Sequence, residues 1–196
     1  MLKLRELTMQ HHKNAERSEF AKKLVSGKVN ALEYTLYLYN MRYVYSSIEM
    51  TAKRLGVLEG LRPICRKSSI GLDYNQMLNM LNMNISFELC EATVEYVDYL
   101  STLNDPEKIL AHVYVRHMGD LSGGQIIAKK LKGKYPTNFY EFTVDTEILK
   151  EKLREKLNND MAEEAMLAFD YAHKIFLELD SLRDNSKPEG NSETSE

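Results

Sequence analysis

Two adjacent histidines near the start of the chain, His11 and His12, have a carboxylate within reach. In the segment MQHHKNAERSEF, Glu16 follows His12 by four residues, so on a helix the two side chains face each other. A carboxylate that hydrogen-bonds to one ring nitrogen fixes the tautomer and leaves the other nitrogen free to bind a metal. The alternative is a pair of surface or half-buried histidines with an ordinary i,i+4 partner.

A second segment, AHVYVRHMGDLSGGQIIAKK, combines helical surroundings with Gly119, Gly123 and Gly124. A glycine in a helix interior costs about 1 kcal/mol relative to alanine, so this cluster needs a reason. Small residues let a backbone come close to a flat ligand and permit a bend. Asp120 would then organise waters beside the ligand. The alternatives are a loop or a close helix–helix crossing.

A third segment, ILKEKLREKLNND, places Lys150 and Arg154 four residues apart, where they are able to clamp anionic groups. Lys152 and Lys156 nearby favour the alternative of a solvated charged face. Together the three segments describe a helical pocket with an axial histidine, a glycine-lined opposite wall and cations at its mouth. Such a pocket would suit a haem, although spacing alone does not establish one.

The elements that must position these residues are helices. Apolar residues recur at intervals of three and four along most of the chain, and glycine and proline are sparse, with 9 and 4 copies. We predict breaks at Gly27, 56–63, 104–106 and 132–146, with Asp105 capping the helix that starts at Pro106. The stretch 139–144 is interpreted as a loop. The sequence predicts one all-α domain of about seven or eight helices over residues 1–183, followed by a disordered polar tail, 184–196.

Composition narrows the class of protein. Hydrophobic residues make up 43% of the 196 residues, and the net charge of −3 gives no argument for a nucleic-acid partner. Two isolated cysteines, Cys65 and Cys90, favour a reducing compartment without a zinc site. The start of the chain is too polar for a signal peptide, and no apolar run approaches the roughly 20 residues that span a bilayer. We expect a soluble, cytoplasmic monomer that binds neither nucleic acid nor membrane.

The segments described above resemble those of the haem oxygenases. LRELTMQHHKNAERSEF is similar to the family's proximal-helix motif, in a register that assigns the axial ligand to His12 and not to His11. AHVYVRHMGDLSGGQ is similar to the distal-helix signature, and EEAMLAFDYAHKIFLEL resembles the last core helix. The resemblance covers residues 3 to 182. It implies an all-helical fold in which haem lies between the proximal and distal helices.

The resemblance also implies roles on the two faces of the haem. His12, oriented by Glu16, would bind the iron. Gly119 and Gly123 would leave room for dioxygen, because a Cβ there would collide with haem or its ligand. Asp120 would hold a water chain that delivers protons.

Further positions match the family's haem-contacting residues. Tyr114 and Arg116 would join the distal network or contact haem, whereas Lys150, Arg154 and Arg5 would bind the propionates. Phe169 fits the apolar haem wall, as does Phe176, with plain core packing as the alternative for both.

Two departures from the family pattern are expected to matter. Met9 stands where the family often has a lysine, which removes one propionate cation. His117 replaces an aromatic residue, and it would be either a pocket-edge residue or a second weak haem contact.

The implied activity is the oxidative cleavage of haem b, both substrate and cofactor, to biliverdin, with the IXα isomer favoured. Dioxygen is the co-substrate, and carbon monoxide and ferrous iron are released. Since the sequence has no flavin or iron–sulfur motif, electrons must come from an external reductant. The chain resembles the soluble cyanobacterial, algal or phage-like members of the family, and this resemblance implies ferredoxin as the donor and a bilin reductase downstream. The rival hypotheses are a non-catalytic haem carrier and a related helical fold that binds another small molecule.

Overall fold

The structure, a computed structural model, describes residues 3–84 and 87–181, and it contains no strand within these ranges. Its described residues form nine α-helices: α1 Leu4–Leu7, α2 Met9–Glu16, α3 Glu19–Ser26, α4 Ala31–Arg54, α5 Lys67–Met80, α6 Glu91–Thr102, α7 Pro106–Leu131, α8 Thr146–Arg154 and α9 Ala162–Ser181. Short 3-10 turns lie at Arg62–Ile64, Asn138–Tyr140 and Asn159–Met161. The predicted all-α class is confirmed. The tail predicted at 184–196 lies outside the described residues.

The first part of the chain is more divided than the sequence predicts. Thr8 separates α1 from α2, and its buried hydroxyl donates a 2.9 Å hydrogen bond to the Leu4 carbonyl. Ser18 starts α3 by accepting a hydrogen bond from the Ala21 N–H at 3.2 Å. These two polar residues account for a helix count above the seven or eight predicted.

Several predicted helix ends are confirmed, and each has a local cause. Gly27 ends α3 at φ 73°, and a Cβ there would also lie 3.0 Å from the Lys130 Cβ. Asp105 caps α7 by accepting a hydrogen bond from the Glu107 N–H at 2.9 Å, with Pro106 in the first turn.

The long helices α4, α7 and α9 are central to the molecule. α4 packs on α5, α6 and α7, whereas α9 packs on α7, α2, α3 and α6. Fully buried tyrosines on α4, on α6 and in the 3-10 turn after α7 contribute to the core, and each of these phenols has a hydrogen-bonding partner: Tyr34, Tyr45, Tyr96 and Tyr140. Because a buried hydroxyl without a partner is costly, these bonds specify how the helices fit together.

The segment between α7 and α8 is fixed by hydrogen bonds to a residue far away in the sequence. Asp73 of α5 accepts hydrogen bonds from the backbone N–H groups of Asn138 at 3.0 Å and Phe139 at 2.8 Å. The stretch interpreted as a loop therefore begins with a fixed 3-10 turn, which buries Phe139 and Tyr140. This turn sets Tyr140 against α7.

Both cysteines, Cys65 and Cys90, are free. Burial raises the pKa of the Cys65 thiol to about 11 and that of the Cys90 thiol to about 12, so both thiols are protonated at neutral pH.

Across the two described ranges, none of the helices combines the length and the apolar character that crossing a bilayer requires.

Candidate functional site

His12 lies on α2 with one side of its ring against protein and the other accessible. Its Nδ1 is 3.4 Å from Glu16 Oε2, and the two side chains are 45% and 65% exposed. The edge of the ring meets Phe169 of α9, with centroids 5.3 Å apart and planes at 81°. In the described part of the chain, no residue hydrogen-bonds to Nε2. The predicted carboxylate partner is thus in place, and Nε2 is available to a ligand.

The neighbouring His11 is differently placed. Its Nδ1 lies 2.6 Å from Asp170 Oδ1 of α9, in a half-buried contact that ties α2 to α9. One ring nitrogen is therefore engaged in helix packing.

The three glycines all lie within α7, which is continuous from Pro106 to Leu131, so the loop alternative is wrong. A Cβ added at Gly119 or Gly123 would meet no atom within 4 Å. These two residues form an open face without side chains, which we call the glycine face. Gly124 differs, because its Cβ would lie 2.7 Å from Tyr140 Cδ1. The third glycine is required by close packing and not by a ligand.

Asp120 is buried beside the glycine face, at 6% exposure. Its Oδ2 accepts a 2.6 Å hydrogen bond from the phenol of Tyr45 on α4. Burial raises the pKa of the carboxyl to about 6, against the opposing effects of His117, of the Tyr45 hydrogen bond and of Arg116. A carboxyl that titrates near neutral pH is suited to proton transfer.

Arg116 lies inside the packing between α4 and α7, at 7% exposure. Its guanidinium is 5.5 Å from the centre of the Tyr45 ring, and Nη2 donates to the Met41 sulfur. Its Nε is buried without a partner among the described residues. Burial opposes its charge, but the neighbouring acidic groups, Tyr45 first, raise the pKa of Arg116 above its ordinary value. Of the two roles implied for Arg116, its position favours the network around Asp120.

Two predicted propionate cations, Arg5 of α1 and Arg154 of α8, lie close enough to Tyr114 of α7 for their charges to act on its phenol. Burial raises the pKa of the half-buried Tyr114 phenol, and the Thr8 hydroxyl and the charges of Arg5 and Arg154 act against that rise. Arg5 and Arg154 are exposed, and neither forms an ion pair with any residue that the structure describes. Lys150 is 13% exposed and pairs with Glu147 at 2.7 Å.

The structure also gives the surroundings of His117, Phe176 and Met9. His117 is completely buried, so both expectations for it, a pocket-edge residue or a haem contact, are wrong. Phe176 packs on Phe20, with ring centroids 5.8 Å apart, which favours the core alternative. Met9 is half-buried at the start of α2.

Some residues around the site were not identified from the sequence. Tyr45, Glu49 and Tyr140 each reach α7 from an element far away in the chain, and no local spacing relates them to it.

Three features of this arrangement fit a haem. α2 and α7 both pack on α9, so His12, with its accessible Nε2, and the glycine face lie on two helices that share a packing partner. The glycine face has open space where side chains would otherwise stand. Arg5 and Arg154, exposed and without an ion pair among the described residues, both lie near Tyr114 of α7, where carboxylates of a ligand would find partners.

Known proteins match this chain along nearly its whole length. A family model described as heme oxygenase matches residues 1–178. The heme oxygenase of Rhodella violacea is 33% identical, over 92% of this chain and 86% of that protein. For the heme oxygenase of Porphyra purpurea the identity is 32%, over 91% and 85%. Heme oxygenase-1 of the cyanobacterium Synechocystis, solved in complex with heme, superimposes with a TM-score of 0.79 at 28% identity, covering 94% of this chain and 93% of that one. The heme oxygenase of Leptospira interrogans gives 0.78 at 28% identity, covering 90% and 97%. The chain belongs to the haem oxygenase family.

Proposed function

We propose that this haem oxygenase cleaves haem b to biliverdin, with the IXα isomer as the main product, and releases carbon monoxide and ferrous iron. The observation that carries this proposal is the open glycine face next to Asp120, a buried carboxyl with a pKa of about 6. A protein that only carries haem needs an axial ligand but has no use for a proton-transfer group beside an open face.

His12 binds the iron through Nε2 in this proposal. Glu16, 3.4 Å from Nδ1, orients the ring and holds the Nδ1 proton. Because both side chains are largely exposed before haem binds, the Glu16 contact is weak there, and Phe169 gives the ring its fixed support.

Bound haem supplies the iron at which dioxygen is activated and the ring that is opened. The glycine face would leave space for dioxygen, since no atom lies within 4 Å of a Cβ added there. Asp120 holds water through the carboxyl oxygen that Tyr45 does not occupy, and it passes a proton through this water. Tyr45 keeps the carboxyl pointing in one direction, and Arg116 adds positive charge behind it.

Cations of α1 and α8 determine how haem is oriented in this proposal. Arg5 and Arg154 bind the propionates, and Lys150 joins them at small cost, because its present partner Glu147 is 68% exposed. Holding the propionates in this way would determine which meso position of haem is cleaved, and we assign the α position.

The electrons come from ferredoxin, with a bilin reductase as the consumer of the product and a monomer as the working form. The exposed Arg5 and Arg154 offer positive charge to an acidic donor. High salt should therefore slow turnover with ferredoxin while leaving turnover with a small-molecule reductant nearly unchanged.

The proposal is tested with the hemin complex in air, supplied with ferredoxin, ferredoxin reductase and NADPH. We expect loss of the Soret band, growth of a far-red bilin band, and biliverdin IXα on chromatography. Asp120→Ala should bind hemin normally but release hydrogen peroxide in place of most of the biliverdin. A stable ferrous spectrum in air would identify a carrier instead, and a normal biliverdin yield from Asp120→Ala would refute the role of Asp120.

A further inference from the structure

His117 lies one turn before Leu121 on α7 and has no exposed surface. Its ring meets the Tyr45 ring at 5.2 Å between centroids and 62° between planes. Tyr45 is the residue that donates to Asp120, so His117 stands directly behind the proton-transfer group. An apolar aromatic ring would fill the same space, but an imidazole also brings two nitrogens that are able to form hydrogen bonds.

Each nitrogen of His117 faces a hydrogen-bond acceptor. Nδ1 is 3.2 Å from the Val113 carbonyl oxygen, and Nε2 is 3.4 Å from Glu49 Oε1. A neutral imidazole has only one N–H, so it would satisfy one of these contacts and set a lone pair against the other oxygen. An imidazolium has two N–H groups and satisfies both.

Glu49 cannot supply the missing proton, because its carboxyl is itself an acceptor. Oε1 accepts hydrogen bonds from the backbone N–H groups of Arg66 and, at 3.1 Å, Lys67. These groups form the start of α5, where a negative charge is stabilised by the helix dipole and the unpaired N–H groups. The proton between Oε1 of Glu49 and His117 therefore belongs to the imidazole.

The charged groups around this ring come from three elements. Glu49 and the Tyr45 phenol belong to α4, and Asp120 and Arg116 belong to α7. Arg66 is the residue that precedes α5. Burial raises the pKa of Asp120, and among the opposing effects the charge of His117 comes first. Arg66 and Arg116 act in the same direction but with smaller effect.

We propose that His117 is a positioning residue for Asp120: held as an imidazolium between Glu49 and the Val113 carbonyl, it makes the Asp120 carboxyl a better proton donor. The consequence of the His117 charge for haem cleavage rests on the proposed role of Asp120. The charge of His117 itself does not depend on that role. His117 touches neither substrate nor iron and acts only through the buried charges.

The decisive measurement uses the haem-free protein and the imidazole nitrogen chemical shifts in ¹⁵N NMR. We expect His117 to carry protons on both nitrogens at neutral pH. His112, buried between Tyr96 and Glu164, provides a second buried imidazole in the same spectra. A single protonated nitrogen on His117 at neutral pH would overturn the proposal, and this result needs no variant that must fold.

Two variants then test the effect on Asp120 through its carboxyl ¹³C titration. His117→Phe should raise the midpoint by about one pH unit or more, since an opposite charge nearby lowers a carboxyl pKa by roughly 1–3 units. Glu49→Gln should leave His117 with one proton at neutral pH and move the Asp120 midpoint upward as well. The matched control is His11→Phe, because the native His11 ring contacts Asp170 of α9. This variant should leave the Asp120 midpoint unchanged. An Asp120 midpoint unchanged in His117→Phe would also overturn the proposal.

Turnover separates this inference from the proposed function. The pH profile of haem cleavage by His117→Phe should move upward together with the Asp120 midpoint, whereas a purely structural residue would lower the rate without moving the profile. If the native chain binds hemin but never forms a bilin, the proposed function fails, yet the protonation of His117 is decided by the NMR measurements all the same.

Discussion

Tyr45 on α4 donates a 2.6 Å hydrogen bond to Oδ2 of Asp120 on α7, across 75 residues of sequence. Both side chains are buried, at 1% and 6% exposure, so the bond is shielded from water. Within the described ranges, no protein donor reaches the other carboxyl oxygen, Oδ1. The direction of the Asp120 carboxyl is thus set by a different helix from the one that carries it, and one oxygen stays free.

We expect Tyr45→Phe to change the chemistry of the site without changing haem affinity. Loss of the phenol removes a hydrogen bond that lowers the pKa of Asp120. Hydrogen bonds to charged groups contribute about 1.5–3 kcal/mol, so this pKa should rise by roughly one to two units. The checks are the pH profile of bilin formation and a Soret titration with hemin. Tyr43→Phe, an exposed phenol on the same helix, should behave as the native chain does, and an unshifted profile in Tyr45→Phe would contradict the assignment.

Asp120 should also make the stability of the haem-free protein depend on pH. Burial raises the pKa of this carboxyl from 3.8 to about 6 in the folded state, so its ionised form is disfavoured there. The native chain should therefore lose stability relative to Asp120→Asn as the pH rises through this window. The loss should reach roughly 3 kcal/mol, from about two pKa units at about 1.4 kcal/mol each.

Urea unfolding of both proteins at a series of pH values measures this difference. Asp98→Asn, at an exposed carboxyl on α6, is the matched control and should follow the native curve. If the native and Asp120→Asn curves run parallel from acid to neutral pH, the Asp120 carboxyl does not have a raised pKa.

The glycines of α7 should respond in opposite ways to alanine. Gly119→Ala adds a Cβ where no atom lies within 4 Å, so the haem-free protein should gain up to about 1 kcal/mol of helix stability. Gly124→Ala forces a contact of 2.7 Å with Tyr140 and should cost roughly 1–3 kcal/mol. Gly119→Ala is expected to weaken hemin binding or turnover although the protein is at least as stable as the native chain. Gly124→Ala is expected to act through lost stability instead. Chemical unfolding and Soret titration of both variants test this, and the reverse order of stabilities would show that the glycine face is misassigned.

The sequence predicts those parts of the molecule that have local causes. Gly27 at positive φ and the Asp105 cap are read from residues within a few positions of the helix end, and the contact of His12 with Glu16 follows from helical spacing. The all-α class follows in the same way from the period of the apolar residues.

What the sequence does not predict depends on packing between distant elements. Asp73 fixes a turn 65 residues further along the chain, and nothing near either residue indicates this. The family resemblance assigns ligand space to Gly119 and Gly123, but no local signal shows that Gly124 is needed for close packing, because that depends on the position of Tyr140. His117 was misinterpreted for the same reason, because its burial depends on α4.

Alanine substitutions at the two adjacent histidines of α2 should have different effects, one on haem binding and the other on helix packing. His12→Ala removes a side chain that is 45% exposed and should leave the haem-free protein about as stable as before. It should nevertheless lose the spectrum of an imidazole-bound iron, which hemin titration and resonance Raman spectroscopy of the iron–nitrogen bond detect. Added imidazole should restore that spectrum by entering the space left by the ring. His11→Ala should do the opposite, because it breaks the 2.6 Å contact with Asp170 that joins α2 to α9. A lower unfolding midpoint with a native haem spectrum is expected there, and an unchanged iron–nitrogen signature in His12→Ala would remove the basis of the haem site.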